Sequence, residues 1–200
     1  MDISSIIDGV NGTEGVGDVS ESGLIGKFVN RTVNHINAVR ANALRLDQAA
    51  LFPGIYETTE KHDLSKLSDP EMIPYVWITE SYRCKAEGEP FEFPPGMKEK
   101  GDEATIHHIK NNRHHPEFHD DSWDGQLGSN RDAPDGSMVD ATAMPDEDIA
   151  EMICDWFAVA QERGTSVREW ADNNINIRWM FLPRQEELIN DLISFFEAKK

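Results

Sequence analysis

Apolar residues recur at helical spacing along most of the chain, and this periodicity restricts the folds that it can form. A first segment runs from Leu24 to about Leu51, where "FPG" at 52–54 ends it. Further helical segments are predicted at about 57–67, 68–84, 102–112, 145–163, 166–180 and 183–198. We find neither the alternating pattern of a half-buried strand nor an internal repeat. The sequence therefore predicts an all-α helical bundle.

Local signals at the helix ends support these segments. Ser68 with Glu71, and Ser166 with Glu169, have the spacing of capping boxes at helix starts. Gly164 follows a strongly amphipathic segment and predicts its end. We therefore expect helices that begin near Ser68 and Ser166.

Three stretches lack this periodicity. Residues 1–22 are rich in Gly, Ser, Asp and Glu and are predicted to be a flexible arm. Residues 86–101 read as a Pro- and Gly-rich loop, and 119–143 as a long acidic loop of a kind that is usually functional or disordered. Apart from the arm, residues 23–200 are predicted to form one helical domain.

The chain is strongly acidic. Its 200 residues include 37 Asp and Glu against 19 Lys and Arg, which gives a formal net charge of −18. Binding to a nucleic-acid backbone needs clustered Lys and Arg, so this composition argues against it. A small anionic substrate is compatible with such a chain only if bound cations reverse the local field.

Cysteine content and hydropathy indicate the cellular compartment that the sequence predicts. Cys84 and Cys154 are far apart and no Cys-x-x-Cys occurs, which disfavours a disulfide framework and fits a reducing cytoplasm. The first residues lack the basic start and apolar run of a signal peptide. No apolar run of about 18 residues predicts a membrane span. We therefore expect a cytoplasmic protein without a membrane partner.

The histidines are strongly clustered. All seven lie between residues 35 and 119, and five of them fall between 107 and 119. Histidine groups near carboxylates are typical of transition-metal sites. The sequence therefore offers these candidates for a metal centre: His35, His62, His107, His108, His114, His115 and His119.

The earlier candidates also have ordinary structural interpretations. His35 lies on or near the apolar stripe of the first helix, where a core histidine bonded to a backbone carbonyl is the simpler interpretation. His62 and Asp63 are adjacent on a predicted helix, so their side chains diverge by about 100°. Taken alone, they are more simply interpreted as a solvated surface pair.

The later histidines leave alternatives open. His107 and His108 diverge in the same way, so one of them should face inward and the other outward. His108 and His115 share a face with Asn112 if the helix continues that far. Pro116 predicts that the helix ends there, which is a place where side chains can spread into a site.

One carboxylate lies within an apolar helix. Asp155 comes three residues after Met152 and four before Val159 in "EMICDWFAVA". Burial of an isolated charge is very unfavourable, so Asp155 needs a partner. A metal ion is one such partner, and a helix cap or an arginine contact is the alternative.

The order of these residues resembles that of the HD superfamily of metal-dependent phosphohydrolases, in which His, His-Asp, His, His and Asp follow one another on separate helices. "HDLSK" at 62–66 also resembles the His-Asp-x-x-Lys form of the motif. A closer resemblance, from about His35 to Trp156, is to an uncharacterised family of bacterial and phage proteins. Its motifs match "HDLSK", "HIKNNRHHPE" and "EMICDW", and they favour His108 over His107. The resemblance implies the cytoplasm of a bacterium or of a phage-infected cell.

The resemblance implies one or two divalent transition-metal ions, namely Mn²⁺, Fe²⁺, Ni²⁺, Co²⁺ or Zn²⁺. The first ion would have four ligands: His35, His62, Asp63 and Asp155. Asp63 would bridge to a second ion, whose remaining ligands would be two of the later histidines: His108 and His115, with His107 and His114 as alternates.

Residues in or near these motifs are candidates for further roles beside the ions. The candidate catalytic residues are Lys66 and Asp63. Phosphate oxygens would be positioned by three basic residues, for which a solvated surface charge is the alternative: Lys66, Lys110 and Arg113. Two further residues would orient the ligating imidazoles: Asn112 and Glu117.

The expected function is hydrolysis of a nucleotide or another small phosphoester by a metal-activated water. An HD-type di-iron oxygenase is an alternative, because some HD-type proteins use a similar residue set to activate oxygen. A non-enzymatic, acidic, metal-containing interaction protein is the other alternative, supported by the acidic loop and tail. Neither the substrate nor the oligomeric state follows from the sequence.

Overall fold

The structure is a computed structural model and describes residues 21–125 and 138–198. These residues form seven α-helices: α1 (Glu21–Gln48), α2 (Ile55–Thr58), α3 (Met72–Glu87), α4 (Met97–Asn111), α5 (Asp146–Arg163), α6 (Val167–Asp172) and α7 (Pro183–Glu197). They also form three short 3₁₀ helices: Thr59–Lys61, Leu64–Leu67 and Pro116–His119. The predicted all-α class is confirmed.

Two short strands accompany the helices. β1 (Val139–Asp140) and β2 (Trp179–Met180) pair in parallel, with Val139 opposite Trp179. Two residues are too few for an alternating apolar pattern to be visible in a sequence. This explains why the periodicity predicts no strand here.

The chain packs as two compact units, and each has a hydrophobic core. The described part of the first unit comprises residues 21–34 and 63–107. The described part of the second unit comprises residues 35–62, 108–125 and 138–198. Helix α1 therefore contributes its first part to one unit and its remainder to the other.

The core of the first unit lies among α1, α3 and α4. Phe28 and Val29 of α1 are buried with Tyr75 and Val76 of α3 and Ala104 of α4. Helix α4 also approaches α3 closely at Gly101, where an added Cβ atom would lie 3.3 Å from the side chain of Ile78. This core supports the segment that follows Asp63.

The second unit is organised around α5. The first turn of this helix is acidic, which suits the positive end of the helix dipole, and Gly164 ends the helix with a φ of 67°. The apolar face of α5 packs against α7, where the rings of Phe157 and Phe196 are 4.6 Å apart. The helix predicted at 145–163 is therefore confirmed.

The helix predicted at 57–67 is wrong. The chain there forms α2 and two 3₁₀ helices, and His62 and Asp63 lie between the latter. His62 is extended, with φ −51° and ψ 127°, and Asp63 is left-handed, with φ 56°. Aspartate tolerates this region because its short polar side chain can hydrogen-bond locally. A break in helical structure, and not a helix face, places these two side chains.

The capping box predicted for Ser68 and Glu71 is also wrong. Glu71 immediately precedes α3, but its side chain caps nothing there. Instead, Glu71 Oε2 accepts a hydrogen bond from Ser65 Oγ at 2.9 Å, and Oε1 accepts one from His107 Nδ1 at 2.7 Å. Glu71 is fully buried, so distant partners have replaced the local bond.

Two other helix ends differ from prediction. Helix α4 begins at Met97, which shortens the loop predicted at 86–101. Helix α6 ends at Asp172, well before Met180, although Ser166 Oγ accepts the predicted cap hydrogen bond from Glu169 N at 3.2 Å. Helix ends depend on tertiary packing as well as on local signals.

Most of the predicted arm and the middle of the predicted acidic loop, residues 1–20 and 126–137, lie outside the described residues. Glu21 and Ser22, the last two residues of that arm, belong to α1. Cys84 and Cys154 are both buried and free. Among the described helices, none combines the length and apolarity needed to cross a membrane.

Candidate metal centre

The second unit brings two of the predicted ligands together on α1 and α5. His35 Nε2 lies 2.9 Å from Asp155 Oδ1. Seven residues after His35, Asn42 Nδ2 donates a buried hydrogen bond of 3.0 Å to the carbonyl of Cys154, the residue before Asp155. This bond fixes the two helices beside the pair, so the geometry rests on packed elements and not on a mobile loop.

His62 reaches the same place from the segment between the 3₁₀ helices, and its side chain is fully buried. Its Nε2 lies 3.4 Å from His35 Nε2 and 3.9 Å from Asp155 Oδ1. Donors bound to one cation at about 2.1 Å lie roughly 3–4 Å apart. The three separations in this group therefore fit a shared ion, and we name the group His35–His62–Asp155 site A.

A second histidine group lies where α4 ends. His108 belongs to the last turn of α4, while His115 is extended because Pro116 follows it. His108, His114 and His115 each offer a ring nitrogen, and these nitrogens all lie within 4.8 Å of one another. We name this group site B. The sequence left His114 and His115 as alternatives, and the structure brings both to His108.

Asn112, which the sequence offered as a residue that orients imidazoles, contacts the ring of His108. Its Nδ2 lies 3.0 Å from His108 Nδ1 and donates to the His108 carbonyl at 2.8 Å. The oxygen and nitrogen of such an amide are assigned from their surroundings. Because the His108 carbonyl can only accept, the atom of Asn112 that faces it is the amide nitrogen, and this contact holds the His108 ring beside the end of α4.

Glu151 belongs to the cluster, although the sequence gave it no role. Its Oε1 lies 2.8 Å from His62 Nδ1 and 3.5 Å from His114 Nδ1. Glu151 precedes Asp155 by four residues, so both carboxylates lie on one face of α5. The sequence did indicate Glu151 indirectly: it is the first residue of "EMICDW", and a helix face that holds one candidate ligand also presents the residue one turn away.

The carboxylates of Glu151 and Asp155 both stay ionised beside these histidines. Burial by itself would raise the pKa of Glu151, but hydrogen bonds from His114 and His62 outweigh it and lower the pKa to about 2. Burial opposes ionisation of Asp155 as well, and its hydrogen bond with His35 holds its pKa below the usual range. Half-buried anions surrounded by imidazoles are a suitable environment for a cation.

The donors of the cluster suit a metal ion. Imidazole nitrogens and carboxylate oxygens are the ligands that Zn²⁺, Mn²⁺, Fe²⁺, Co²⁺ and Ni²⁺ accept. They come from the end of α4, from α1, from α5 and from the segment around His62, and they are at least partly buried. These residues can hold a metal ion, and the donor set leaves the identity of the metal open.

A family model matches residues 25–197, and its description is a family of unknown function, DUF5662. The chain belongs to the DUF5662 family. The match includes every residue of sites A and B. No curated protein and no solved structure matches the chain.

Two predicted residues of this DUF5662 chain belong to the first unit. Asp63 follows His62 directly, is buried, and accepts a hydrogen bond of 2.6 Å at Oδ2 from Lys66 Nζ. Lys66 also lies 5.3 Å from the centre of the Tyr75 ring. The ligand role of Asp63 and the phosphate role of Lys66 stay predictions.

His107 and His108 diverge as expected. His107 lies in the first unit of this DUF5662 chain, with Nδ1 bonded to the buried Glu71 and with 41% of its side chain exposed. His108 is buried in site B. The preference for His108 over His107 therefore agrees with the placement of the two rings.

The remaining basic candidates lie at the surface of the second unit. Arg113 is exposed and pairs with Asp148 at 2.8 Å, and His119 Nε2 lies 3.4 Å from the same carboxylate. Lys110 is exposed, 5.6 Å from the centre of the Trp123 ring. These contacts match the alternative interpretation of Lys110 and Arg113 as solvated charges.

Glu117 does not have the contacts predicted for it. It is buried, and its Oε1 accepts hydrogen bonds from Trp179 Nε1 at 2.9 Å and from Arg178 at 3.2 Å. These contacts fix the start of β2. The imidazoles of sites A and B contact two carboxylates of α5 instead, Asp155 and Glu151.

Proposed function

We propose that the chain is a metal-dependent phosphohydrolase that acts on a nucleotide or another small phosphoester. The observation that carries this proposal is the convergence of His35, His62 and Asp155 at separations of 2.9 to 3.9 Å. Site B adds three further imidazoles in the same unit. Together they can bind one or two divalent ions.

The ion would supply the chemistry that an acidic chain lacks: it neutralises phosphate charge and lowers the pKa of a bound water. The residues of site A would hold the ion, and their burial would restrict access of bulk water. With a net charge of −18, the chain needs cations to attract an anionic substrate.

The reaction class is inferred from the order of the ligands. The sequence offers His, His-Asp, His, His and Asp in the order of the HD superfamily, with a lysine three residues after the Asp63 of "HDLSK". On this proposal Asp63 joins the metal ligands and Lys66 contacts the substrate phosphate. The donor set of site A supports the metal, and the motif order supports the hydrolase.

The test is phosphate release from a panel of nucleotides and small phosphoesters in the presence of Mn²⁺. We expect release by the wild-type chain, and loss of at least about 100-fold in His35→Ala and Asp155→Asn, because each removes a ligand. His107→Ala is the matched control and should keep full activity, since His107 is bonded to Glu71 and belongs to neither site A nor site B.

Two results would contradict the proposal. One is equal activity in His35→Ala and the wild-type chain. The other is a metal-loaded chain that releases no phosphate from any substrate of the panel. In the latter case, oxygen uptake by the iron-loaded chain would support an HD-type di-iron oxygenase, and absence of both activities would support a non-enzymatic, metal-containing interaction protein.

A further inference from the structure

We propose that Glu151 sets the tautomer of two histidines at once, so that His62 and His114 both keep their proton on Nδ1 and both present Nε2 as a metal ligand. Glu151 is thus a positioning residue shared by sites A and B. This inference rests on the proposed metal centre, and it adds a residue that the ligand pattern does not include.

The geometry at Glu151 decides which ring nitrogen carries the proton. An ionised carboxylate has only acceptors, so a ring nitrogen in hydrogen-bond contact with it must donate. Glu151 Oε1 lies 2.8 Å from His62 Nδ1, and 3.5 Å from His114 Nδ1, the long limit of such a contact. A neutral imidazole carries one N–H, so Nε2 of each ring then holds the lone pair.

The other side of the His62 ring meets the donors of site A. Its Nε2 lies 3.4 Å from His35 Nε2 and 3.9 Å from Asp155 Oδ1. The ring therefore has a carboxylate at one nitrogen and a ligand group at the other. Metal-bound histidines commonly have this arrangement, in which the second nitrogen donates to a carboxylate that fixes the ring.

A competing arrangement uses Glu151 itself as a ligand. His62, His114 and Glu151 each offer an atom within 4.8 Å of the others, which is close enough for an ion among them. A neutral imidazole cannot give both nitrogens to cations, so an ion bound at His62 Nδ1 would remove His62 from site A. With Glu151 as an acceptor, His62 stays in site A and His114 stays in site B.

The position of Glu151 on α5 favours the shared role. Glu151 and Asp155 lie one turn apart on a helix whose apolar face is fixed in the core. The helix can therefore supply a ligand from Asp155 and hold the neighbouring rings from Glu151. This explains the spacing of four residues between the two carboxylates in "EMICDW".

The test reads the tautomers directly. The full chain, labelled with ¹⁵N-histidine and stripped of metal by a chelator, is examined by long-range ¹H–¹⁵N NMR at mildly alkaline pH, where imidazole is neutral. We expect the Nδ1–H pattern for His62 and His114. After addition of Zn²⁺, both Nδ1 protons should remain and both Nε2 signals should shift.

Variants then measure the effect on affinity. Glu151→Leu should weaken Zn²⁺ binding about 10- to 100-fold, as loss of an orienting partner does. Glu151→Gln keeps an acceptor oxygen and should recover most of the affinity. Glu147→Leu changes an exposed glutamate on the same helix and is the matched control.

The outcomes separate the inference from the proposed function. Zn²⁺ bound at His62 Nδ1, or a proton on His62 Nε2 in the metal-free chain, would overturn the role of Glu151 and leave the metal centre intact. Equal losses in Glu151→Gln and Glu151→Leu would also overturn it, since a ligand is not rescued by an amide in this way. Expected tautomers in a wild-type chain that binds no metal would support the Glu151 contacts and contradict the metal centre. The wild-type spectra decide the question even if Glu151→Leu does not fold.

Discussion

Each unit contains a carboxylate in contact with an imidazole, fully buried at Glu71 and half-buried at Glu151, and the surroundings of the two pairs differ. In the first unit, Glu71 accepts from His107 Nδ1 at 2.7 Å. In the second unit, Glu151 accepts from His62 Nδ1 at 2.8 Å. The bond is nearly identical, so the bond by itself does not make a metal centre.

The difference lies in what surrounds each ring. His107 is the one histidine of the first unit, and it lines a cavity of about 660 Å³ with Ile73, Pro74 and Met97 among the other lining residues. The ring of His62 lies 5.5 Å from that of His35 and 4.2 Å from that of His114, centre to centre. Only the second pair lies in a region dense enough in donors to enclose a cation.

The largest expected effect is on metal binding: mutation of the histidine in the second pair should weaken it, and mutation of the histidine in the first pair should not. His62→Ala should weaken metal binding by more than about 100-fold, because it removes a ligand and not only an orienting partner. His107→Ala should bind as the wild-type chain does. Elemental analysis of protein purified without chelator, followed by chelator competition, measures both.

His62→Gln serves as a second variant, because the buried ring of His62 also supports packing. Equal metal loss in the His62 and His107 variants would show that the two pairs are not distinct. Retention of metal in both would remove His62 from the ligands.

A smaller effect is expected at Asn112, whose amide contacts the ring of His108. Asn112→Leu should lower affinity about 10- to 100-fold, because His108 loses the partner at Nδ1. Asn111→Leu changes the neighbouring exposed asparagine and should leave affinity unchanged. Isothermal titration with Zn²⁺ measures the two variants, and similar affinities for both would show that Asn112 does not orient His108.

The first pair should matter for stability alone. Glu71→Leu leaves Ser65 Oγ and His107 Nδ1 without their carboxylate, which should lower the free energy of unfolding by about 1–3 kcal/mol. Metal content should stay at the wild-type level. Urea unfolding measures the first quantity, with exposed Glu99→Leu as the control, and metal loss in Glu71→Leu would connect this pair to the cluster.

The smallest expected effect is on the free energy of unfolding at acidic pH. The folded pKa of Glu151 is about 2, below its ordinary value of 4.5, so its stabilising effect is complete above the ordinary value and is lost as pH falls towards the folded one. Between about pH 5 and pH 3.5, the metal-free wild-type chain should lose about 1 kcal/mol that Glu151→Gln does not. Urea midpoints at the two pH values test this, and parallel losses in both chains would contradict the lowered pKa.

Local signals predicted some elements well. For α5, an amphipathic face, an acidic first turn and Gly164 all indicate the same helix, and the structure has it at Asp146–Arg163. At "HDLSK" the apolar spacing indicated a helix, but Asp63 is left-handed and the chain breaks there. Apolar periodicity indicates which residues are buried on folding. It does not indicate where tertiary contacts interrupt a helix.

The candidate ligands were predictable only in part. The order of the motifs, and no residue taken alone, pointed to His35, His62, His108 and Asp155, which the structure places in sites A and B. Glu151 was missed, because a glutamate on an amphipathic helix has the ordinary interpretation of a solvated charge. Glu71 was misassigned, because its spacing from Ser68 satisfied a local rule that a buried partner overrode.

By itself, the sequence determined the helical class, the main amphipathic faces and the residue types able to bind a metal, because these depend on composition and on spacing within one element. The tertiary structure decided which carboxylate meets which imidazole, because Glu71 and Glu151 contact His107 and His62 across long stretches of chain. No local pattern carries the orientation of an imidazole ring. Packing of α1 and α5 around Asn42 fixes the positions from which His35 and Asp155 meet.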